Sequence, residues 1–377
     1  YTYRDWLIRS LNADLPYDQF LLYQLAAEQI VDPATPDKKH LAALGFLSLS
    51  KNGSQDEILD DRLDTTFRGT MALTVACAKC HDHKFDPIST KEYYSLYGVF
   101  LNSMTQDTPV IGEPKSGPEY DKYLAELAVL QKEVDDFLAP QFEKLAKEHP
   151  ELAGQPDKLK TKINRVDRRK LIRLEGKVDK FIADSGMEAD KAIILRDREK
   201  PINQHVFIRG NPRRRGDIAP RQFLAIASEG GVATEFTEGS GRLEMAKEIV
   251  RPGNPFTARN IVNRVWMWHF GEGIVRSIDD FGIQGEHPDH PELLDWLAHW
   301  FIENDWSLKK LHHLILTSET WQQRADNPHA AENMVADAEN RLLWKFARKR
   351  LELEQMRDGM LDVAGNLDGE MFGRPVK

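Results

Sequence analysis

Apolar residues recur at helical spacing along most of the chain, and they predict a mainly α protein. Over residues 3–31 they form two stripes, separated by a turn at Leu15-Pro16-Tyr17-Asp18. A spacing of three and four residues places apolar side chains on one face of a helix, so two amphipathic helices are predicted here. The same pattern predicts helices over residues 38–50, 56–75 and 91–102.

Residues 118–200 carry narrower apolar stripes, on either side of a turn-forming segment at residues 150–156. The stripes consist of Leu124, Leu127, Leu130, Val134 and Leu138, and of Ile163, Val166, Leu174, Val178 and Phe181. Narrow stripes are typical of coiled-coil seams, so we predict an inserted antiparallel helical hairpin. Its second arm begins with many lysines and arginines, which indicate either a solvated face or a docking arm for a partner.

The last part of the chain, residues 201–377, is predicted to be loop-like at first and helical afterwards. His205-Val206-Phe207-Ile208 is the best candidate strand. Helices are predicted over residues 255–270, 291–300, 307–317 and 339–364, and Gly271 and Gly273 are expected to end the first of these. The expected fold class is therefore multi-helical with little sheet.

The composition is typical of a globular protein, and the chain is long enough for two domains. The 377 residues are 41% hydrophobic and 29% charged, and the formal net charge is −9. That charge argues against a nucleic-acid partner. No run of about 18 apolar residues is present, so no transmembrane segment is expected. No signal peptide is visible, and the chain opens directly on a predicted helix, so we expect it to be the interior of a longer precursor.

Both cysteines of the chain lie in one short motif, Cys77-Ala78-Lys79-Cys80-His81. Two thiols three residues apart, followed at once by a histidine, form the attachment pattern of haem c. One helical turn places both sulfurs on the same side, where each can add to a haem vinyl group. His81 can then be the axial ligand of the iron. The motif leaves no cysteine for a disulfide framework.

Two other kinds of site use the same residue types. A zinc site could combine the two thiolates with His81 and His83 as a Cys2His2 set. Four ligands within seven residues would be cramped, however. A redox dithiol normally lies near a βαβ pattern, and none surrounds this motif. Haem c is the favoured cofactor, and it implies a periplasmic or secreted protein, because bacteria attach haem covalently outside the cytoplasm.

The predicted helix before the motif is dense in charge, with three aspartates and two arginines between residues 60 and 68. A solvated helix face with ion pairs four residues apart would explain these charges. Alternatively, Arg62 or Arg68 binds the haem propionates. On the opposite face of the haem, His269 is a candidate distal ligand, because it ends an aromatic-rich helix.

Five further residues suit an open substrate pocket by their chemistry. They are His83, Asp86, Arg264, Asp280 and His290. They would supply bases, acids and an anion-binding guanidinium. The competing interpretation is structural: the two aspartates cap helices or turns, and the arginine forms a buried ion pair.

Two groups of sequence segments in this chain resemble a known family. The first set includes Leu73-Thr74-Val75 and the run from Cys77 through His81-Asp82-His83-Lys84-Phe85-Asp86-Pro87-Ile88. The second includes Asn263-Arg264-Val265-Trp266, Asp280-Phe281-Gly282 and His290-Pro291-Glu292-Leu293-Leu294-Asp295-Trp296. These strings resemble large secreted proteins of Planctomycetes and related bacteria. Those proteins join a planctomycete-type cytochrome c domain to a C-terminal domain of unknown function.

The resemblance implies a domain order for this chain. Residues 1–117 would form a cytochrome c-like helical domain, residues 118–200 the hairpin, and residues 201–377 the C-terminal domain of the family. We expect the haem to lie between the two helical halves. Full-length relatives usually start earlier and run past Pro375, which also implies a fragment.

Three functions remain at this stage. The first is a redox enzyme, or its electron-transfer part, that acts on an extracellular substrate, with carbohydrate as the plausible class. The second is a non-catalytic electron carrier or scaffold. The third is a hydrolase in which haem or zinc is only structural. The expected partners are a redox protein or the extracellular substrate.

Overall fold

The computed structural model describes residues 1–35, 38–49, 53–103, 105–112, 115–152 and 154–373. It is mainly helical with little sheet, which confirms the predicted fold class. The chain divides into two compact units. The larger consists of Tyr1–Pro109 and Ala192–Gly373, and the smaller of Val110–Lys191. Within the described ranges, no helix combines the length and apolar character needed to cross a bilayer.

The helices follow one another along the chain with these bounds: α1 Thr2–Asn12, α2 Tyr17–Ile30, α3 Gly45–Ser48, α4 Gln55–Met71, α5 Thr90–Leu101, α6 Pro118–Glu148, α7 Pro156–Thr161, α8 Arg165–Ser185, α9 Arg242–Val250, α10 Thr257–Phe270, α11 Pro291–Glu303, α12 Leu308–Leu316, α13 Glu319–Gln322, α14 Ala330–Ala336 and α15 Leu353–Val363. Capping boxes at Ser54 and Ser89 start α4 and α5, because each serine accepts a bond from the third helical residue.

Three predicted helices differ from the structure. Of the helix predicted over residues 38–50, the described part, residues 38–49, holds a 3₁₀ turn, Lys39–Leu44, before the short α3. The helix predicted over 56–75 ends at Met71, because Ala72 adopts a left-handed conformation (φ 54°). The helix predicted over 339–364 begins only at Leu353. Before it, Asn340 and Leu343 have positive φ, which an α-helix does not allow.

Two small antiparallel ribbons belong to the larger unit. Strand β1, Thr105–Asp107, pairs with β2, Ile194–Arg196. Strand β3, Gln204–Phe207, pairs with β4, Arg215–Ala219, with an irregularity between His205 and Phe207. The strand predicted at 205–208 is therefore confirmed to within one residue.

One hydrophobic core joins α2, α4, α5, α9, α10 and α11 of the larger unit. Among the described residues, the largest fully buried side chain is a cation, Arg242 on α9. The guanidinium binds the Glu28 carboxylate, the Leu25 carbonyl at 2.7 Å, Asp197 at 3.1 Å and Ser103 Oγ at 3.0 Å. These partners come from three distant segments, so Arg242 ties α2, α9 and the chain after β2 together.

The smaller unit is built on α6 and α8, which pack side by side. The ring of Tyr123 near the start of α6 stacks on Phe181 near the end of α8, at 5.5 Å between centroids. The two helices are therefore antiparallel. Leu145, Leu159 and Ile163 contribute to a small core at the turn end. Residues 192–200, which the sequence grouped with the hairpin, lie in the larger unit and include β2.

Candidate functional site

The cysteine motif begins in a 3₁₀ turn, Val75–Lys79, that follows the left-handed Ala72, and Cys80 caps the end of this turn. In such a turn, side chains three residues apart lie on the same side. Val75 and Ala78 are buried, whereas Cys77 and Cys80 are both exposed free thiols. Two buried apolar residues thus anchor the turn and present both sulfurs outward.

Lys79, between the two cysteines, is held by acidic residues of α4. Its Nζ lies 3.0 Å from Asp56 and 3.5 Å from Asp60. The tyrosines of α5 support these carboxylates: the Tyr97 hydroxyl donates to Asp56 at 3.1 Å and the Tyr93 hydroxyl to Asp60 at 2.5 Å. Burial and the nearby carboxylate raise the pKa of Tyr93, so the phenol stays a donor.

This network was not predicted, although the sequence carries a signal for it. Asp56 and Asp60 are four residues apart on α4, and Tyr93 and Tyr97 are four residues apart on α5. Each pair therefore shares a helix face. Only the packing of α4 against α5 shows that both faces meet at Lys79.

Arg62 is buried, where a haem propionate could not reach it, so its predicted role in propionate binding is withdrawn. The side chain is 2% exposed, and Nε donates to the Leu47 carbonyl at 2.9 Å. Burial, with the Arg242 charge nearby, lowers the pKa of Arg62 to about 10. Arg62 is a core residue, because its guanidinium is turned toward buried backbone.

Arg68 is better placed, since its side chain is 38% exposed. The guanidinium forms two bonds to Asp64, at 2.9 and 3.1 Å, which is the pairing expected of residues four apart on a helix. The bonds to Asp64 raise the pKa of Arg68 in spite of partial burial, and the Asp279 and Cys77 side chains contribute to the same effect. Arg68 thus lies within electrostatic range of the motif.

The two histidines after the cysteines have different surroundings. His81 is exposed, and its Nδ1 lies 2.7 Å from the Asp82 carbonyl oxygen. Because this oxygen can only accept, Nδ1 donates the hydrogen bond and Nε2 keeps its free electron pair. The side chain of His83 is almost fully buried. Its Nδ1 accepts from the Asp86 amide at 2.9 Å, and its Nε2 lies 3.4 Å from Thr74 Oγ1. His83 therefore stabilises the loop from within.

The zinc alternative lacks support from these positions. Among the residues that the structure describes, no three His, Cys, Asp or Glu side chains are grouped so as to hold a metal ion. Since His83 is turned inward and hydrogen-bonded, it does not complete a Cys2His2 set with His81.

Asp86 joins the motif loop to a turn far away in sequence. Its carboxylate is 6% exposed and accepts from the Ile283 amide at 2.7 Å. The Asp280 side chain accepts from the Gly282 amide at 2.9 Å, so it shapes this turn as the structural interpretation predicted. A β-carbon on Gly282 would lie 2.4 Å from Asp86 Oδ2. The close approach requires glycine at 282.

Replacing Gly282 by alanine should therefore destabilise the larger unit. The added methyl group would collide with a buried carboxylate that must keep its bond to Ile283. We expect a loss of about 1–3 kcal/mol in unfolding free energy, measured by urea denaturation. Gly359→Ala is the matched control, because nothing lies within 4 Å of that position. Equal stability of the two variants would contradict the tight contact.

A cavity of about 430 Å³ lies beside this junction, within the size range of ligand sites. Leu73, Asp86 and Pro87 from the flanks of the motif form one wall. The rest of the lining is mostly apolar, and its polar groups are Arg259, Glu286, His287 and Asp295. Arg259 and Asp295 form an ion pair at 2.6 Å.

The structure does not gather the five predicted pocket residues. Asp86 alone among them lines this cavity. Arg264 donates to Asn260 at 3.1 Å on α10, and the described residues supply no carboxylate for the expected buried ion pair. His290 Nε2 lies 2.9 Å from the Arg341 carbonyl in another, smaller cavity. The other polar residues of the lining were missed, because isolated charged residues on α10, α11 and a loop carry no local pattern.

His269 has a partner that the sequence did not indicate. Its Nε2 lies 2.7 Å from Nδ1 of His312, and Trp321 packs edge-on against the ring. Burial lowers the pKa of both histidines, so the pair is kept neutral. His269 is the second-last residue of α10, about 18 Å along the helix axis from Thr257, near which α10 lines the cavity. A role as distal ligand would require this bond to break.

Comparison with known families gives two matches. Residues 1–105 match the family described as PSCyt2: Protein of unknown function (DUF1549), and residues 241–377 match PSD1: Protein of unknown function (DUF1553). Both families are typical of planctomycete-type proteins. No curated protein and no solved structure matches the chain. The bond between Asp86 and Ile283 joins the two matched segments.

Proposed function

We propose that the chain is an extracytoplasmic haem c protein, in which Cys77 and Cys80 form the thioether bonds and His81 is the axial ligand. The observation that carries this proposal is the pair of exposed thiols on one side of an anchored turn. His81 fits the role, because its Nδ1 bond to the Asp82 carbonyl orients the ring and leaves Nε2 for iron.

The surroundings of the thiols support the same fit. Gly210 packs against Cys80, and a β-carbon there would lie 2.8 Å from Sγ, so only glycine lets the hairpin approach this sulfur so closely. Arg68 is the candidate for a propionate, since it is partly exposed and within electrostatic range of Cys77. Bound haem would supply a one-electron acceptor at this surface.

The cavity favours an oxidoreductase over a simple carrier. An electron carrier needs no ligand pocket, whereas a redox enzyme needs a place for its substrate next to the acceptor. Glu286, Asp295, Arg259 and His287 give the lining polar groups that can hydrogen-bond a substrate, with Asp295 paired to Arg259 and Glu286 to Arg341. We propose an extracellular substrate rich in hydroxyl groups, of the carbohydrate class.

Carbon monoxide binding tests whether the iron is available for chemistry. We expect the ferrous form of the matured protein to bind carbon monoxide, and His269→Ala to bind it equally, because His269 is engaged with His312. The measurement is the visible absorption spectrum with and without the gas.

A different pattern would favour the carrier. If the unmodified protein does not bind carbon monoxide and His269→Ala does, then His269 is the sixth ligand of the iron. This result would rule out catalysis at the iron. His313→Ala serves as the control, since it removes a neighbouring imidazole of α12 that is not bonded to His269.

A further inference from the structure

The hairpin between β3 and β4 carries an unusual concentration of positive charge. Four arginines fall within residues 209–215, and all are exposed: Arg209, Arg213, Arg214 and Arg215. Within the described part of the chain, no carboxylate lies within 4.0 Å of their guanidinium groups. These four residues are called the arginine tip below.

The absence of counter-charges at the arginine tip contrasts with arginines elsewhere. Arg68, Arg251 and Arg341, for example, pair with Asp64, Glu248 and Asp289. The chain as a whole is acidic, with a net charge of −9, so carboxylates are not scarce. Neighbouring like charges repel one another, and an anionic partner would remove that repulsion.

The arginine tip is held in a defined conformation. The Ile208 amide donates to the Arg214 carbonyl at 2.8 Å, and the Arg214 amide donates to Asn211 at 2.9 Å. At the base of the hairpin, Phe207 is buried and its ring lies 5.1 Å from that of Tyr94. A partner would therefore meet a pre-organised turn, which reduces the entropy cost of binding.

The arginine tip also lies directly beside the cysteine motif. Arg209 and Gly210 both have positive φ, of 55° and 69°, and this bend brings Gly210 against Cys80 Sγ. The hydroxyl of Tyr94 donates to the Lys79 carbonyl at 3.0 Å. Tyr94 therefore contacts both the cysteine motif and Phe207 at the base of the hairpin.

We propose that the arginine tip is the docking surface for an acidic redox partner protein, which it brings to the haem edge at Cys80. This inference rests on the proposed haem attachment. A protein fits better than a sulfated polysaccharide, because the arginines are exposed on a turn that lies next to the proposed haem attachment site. Charge attraction would accelerate encounter and weaken with salt.

The test uses the matured haem protein and an acidic blue-copper protein in its copper(II) form as probe. One electron passes from the ferrous haem to copper(II), so the reaction is balanced and is followed by stopped-flow absorption. In the variant Arg213→Glu/Arg214→Glu/Arg215→Glu, we expect the rate to fall at least 10-fold at low ionic strength, with the difference lost at high salt.

The matched control is Arg168→Glu/Arg169→Glu/Arg173→Glu, which makes the same change of charge on the exposed face of α8. We expect it to alter the rate less than twofold. Thermal melting checks that both variants fold, which their exposed positions favour.

Haem content, measured first, separates the two proposals. Absence of haem c from the unmodified protein overturns both haem attachment and docking. Normal haem with equal rates in all three proteins overturns docking alone. Unchanged rates together with lost retention on heparin would assign the arginine tip to a sulfated polysaccharide instead.

Discussion

The Cys77→Ser/Cys80→Ser protein, produced with a cytochrome maturation system, is expected to contain no covalently attached haem. Serine hydroxyls do not form the thioether bonds, and the chain has no other thiol to replace them. The substitution changes only one atom in each side chain, and both side chains are exposed, so the turn should keep its anchors Val75 and Ala78. The pyridine haemochrome assay and the intact mass of the protein measure the loss.

Lys84→Ser is the control, because Lys84 is an exposed residue of the same loop and is no part of the attachment motif. It should retain one haem per chain. The proposal is lost if unmodified protein matured in this way contains zinc in place of haem, or if covalent haem persists without the two thiols.

The second large effect is expected at Arg242. Replacing it by methionine keeps much of the side-chain volume but leaves Glu28 and Asp197 without their buried counter-charge. Removing one partner of a buried ion pair typically costs 3–5 kcal/mol. Although burial raises the pKa of Asp197, Arg242 and the hydroxyls of Ser240 and Ser103 outweigh that effect and hold the pKa low. We expect a loss of about 3–5 kcal/mol in unfolding free energy.

Urea denaturation of two further variants gives this prediction its controls. Arg324→Met breaks an exposed ion pair with Asp326 and should leave the unfolding midpoint unchanged. Adding Glu28→Gln to Arg242→Met should recover part of the lost stability, because one uncompensated charge is removed. An Arg242→Met protein as stable as the unmodified chain would show that the carboxylates find other partners.

Local patterns in the sequence were sufficient for the elements that depend on neighbouring residues. The apolar stripes predicted the helices that became α1, α2 and α10, because helical spacing is a property of residues three and four apart. The strand predicted at residues 205–208 is also a local feature, and the structure has it at Gln204–Phe207. The haem attachment pattern from Cys77 to His81 is likewise local to five residues, and haem binding there stays a prediction.

Other features depend on residues that are distant in the chain. Arg62 is buried because α3 and the end of α5 supply its surroundings, which no helical pattern around residue 62 reveals. The partner of His269 is 43 residues away. The cavity exists because the loop at 282–283 docks on Asp86, 197 residues earlier than Ile283. Local spacing determines which face of a helix is apolar, whereas the contacts between faces depend on the packing of the whole core.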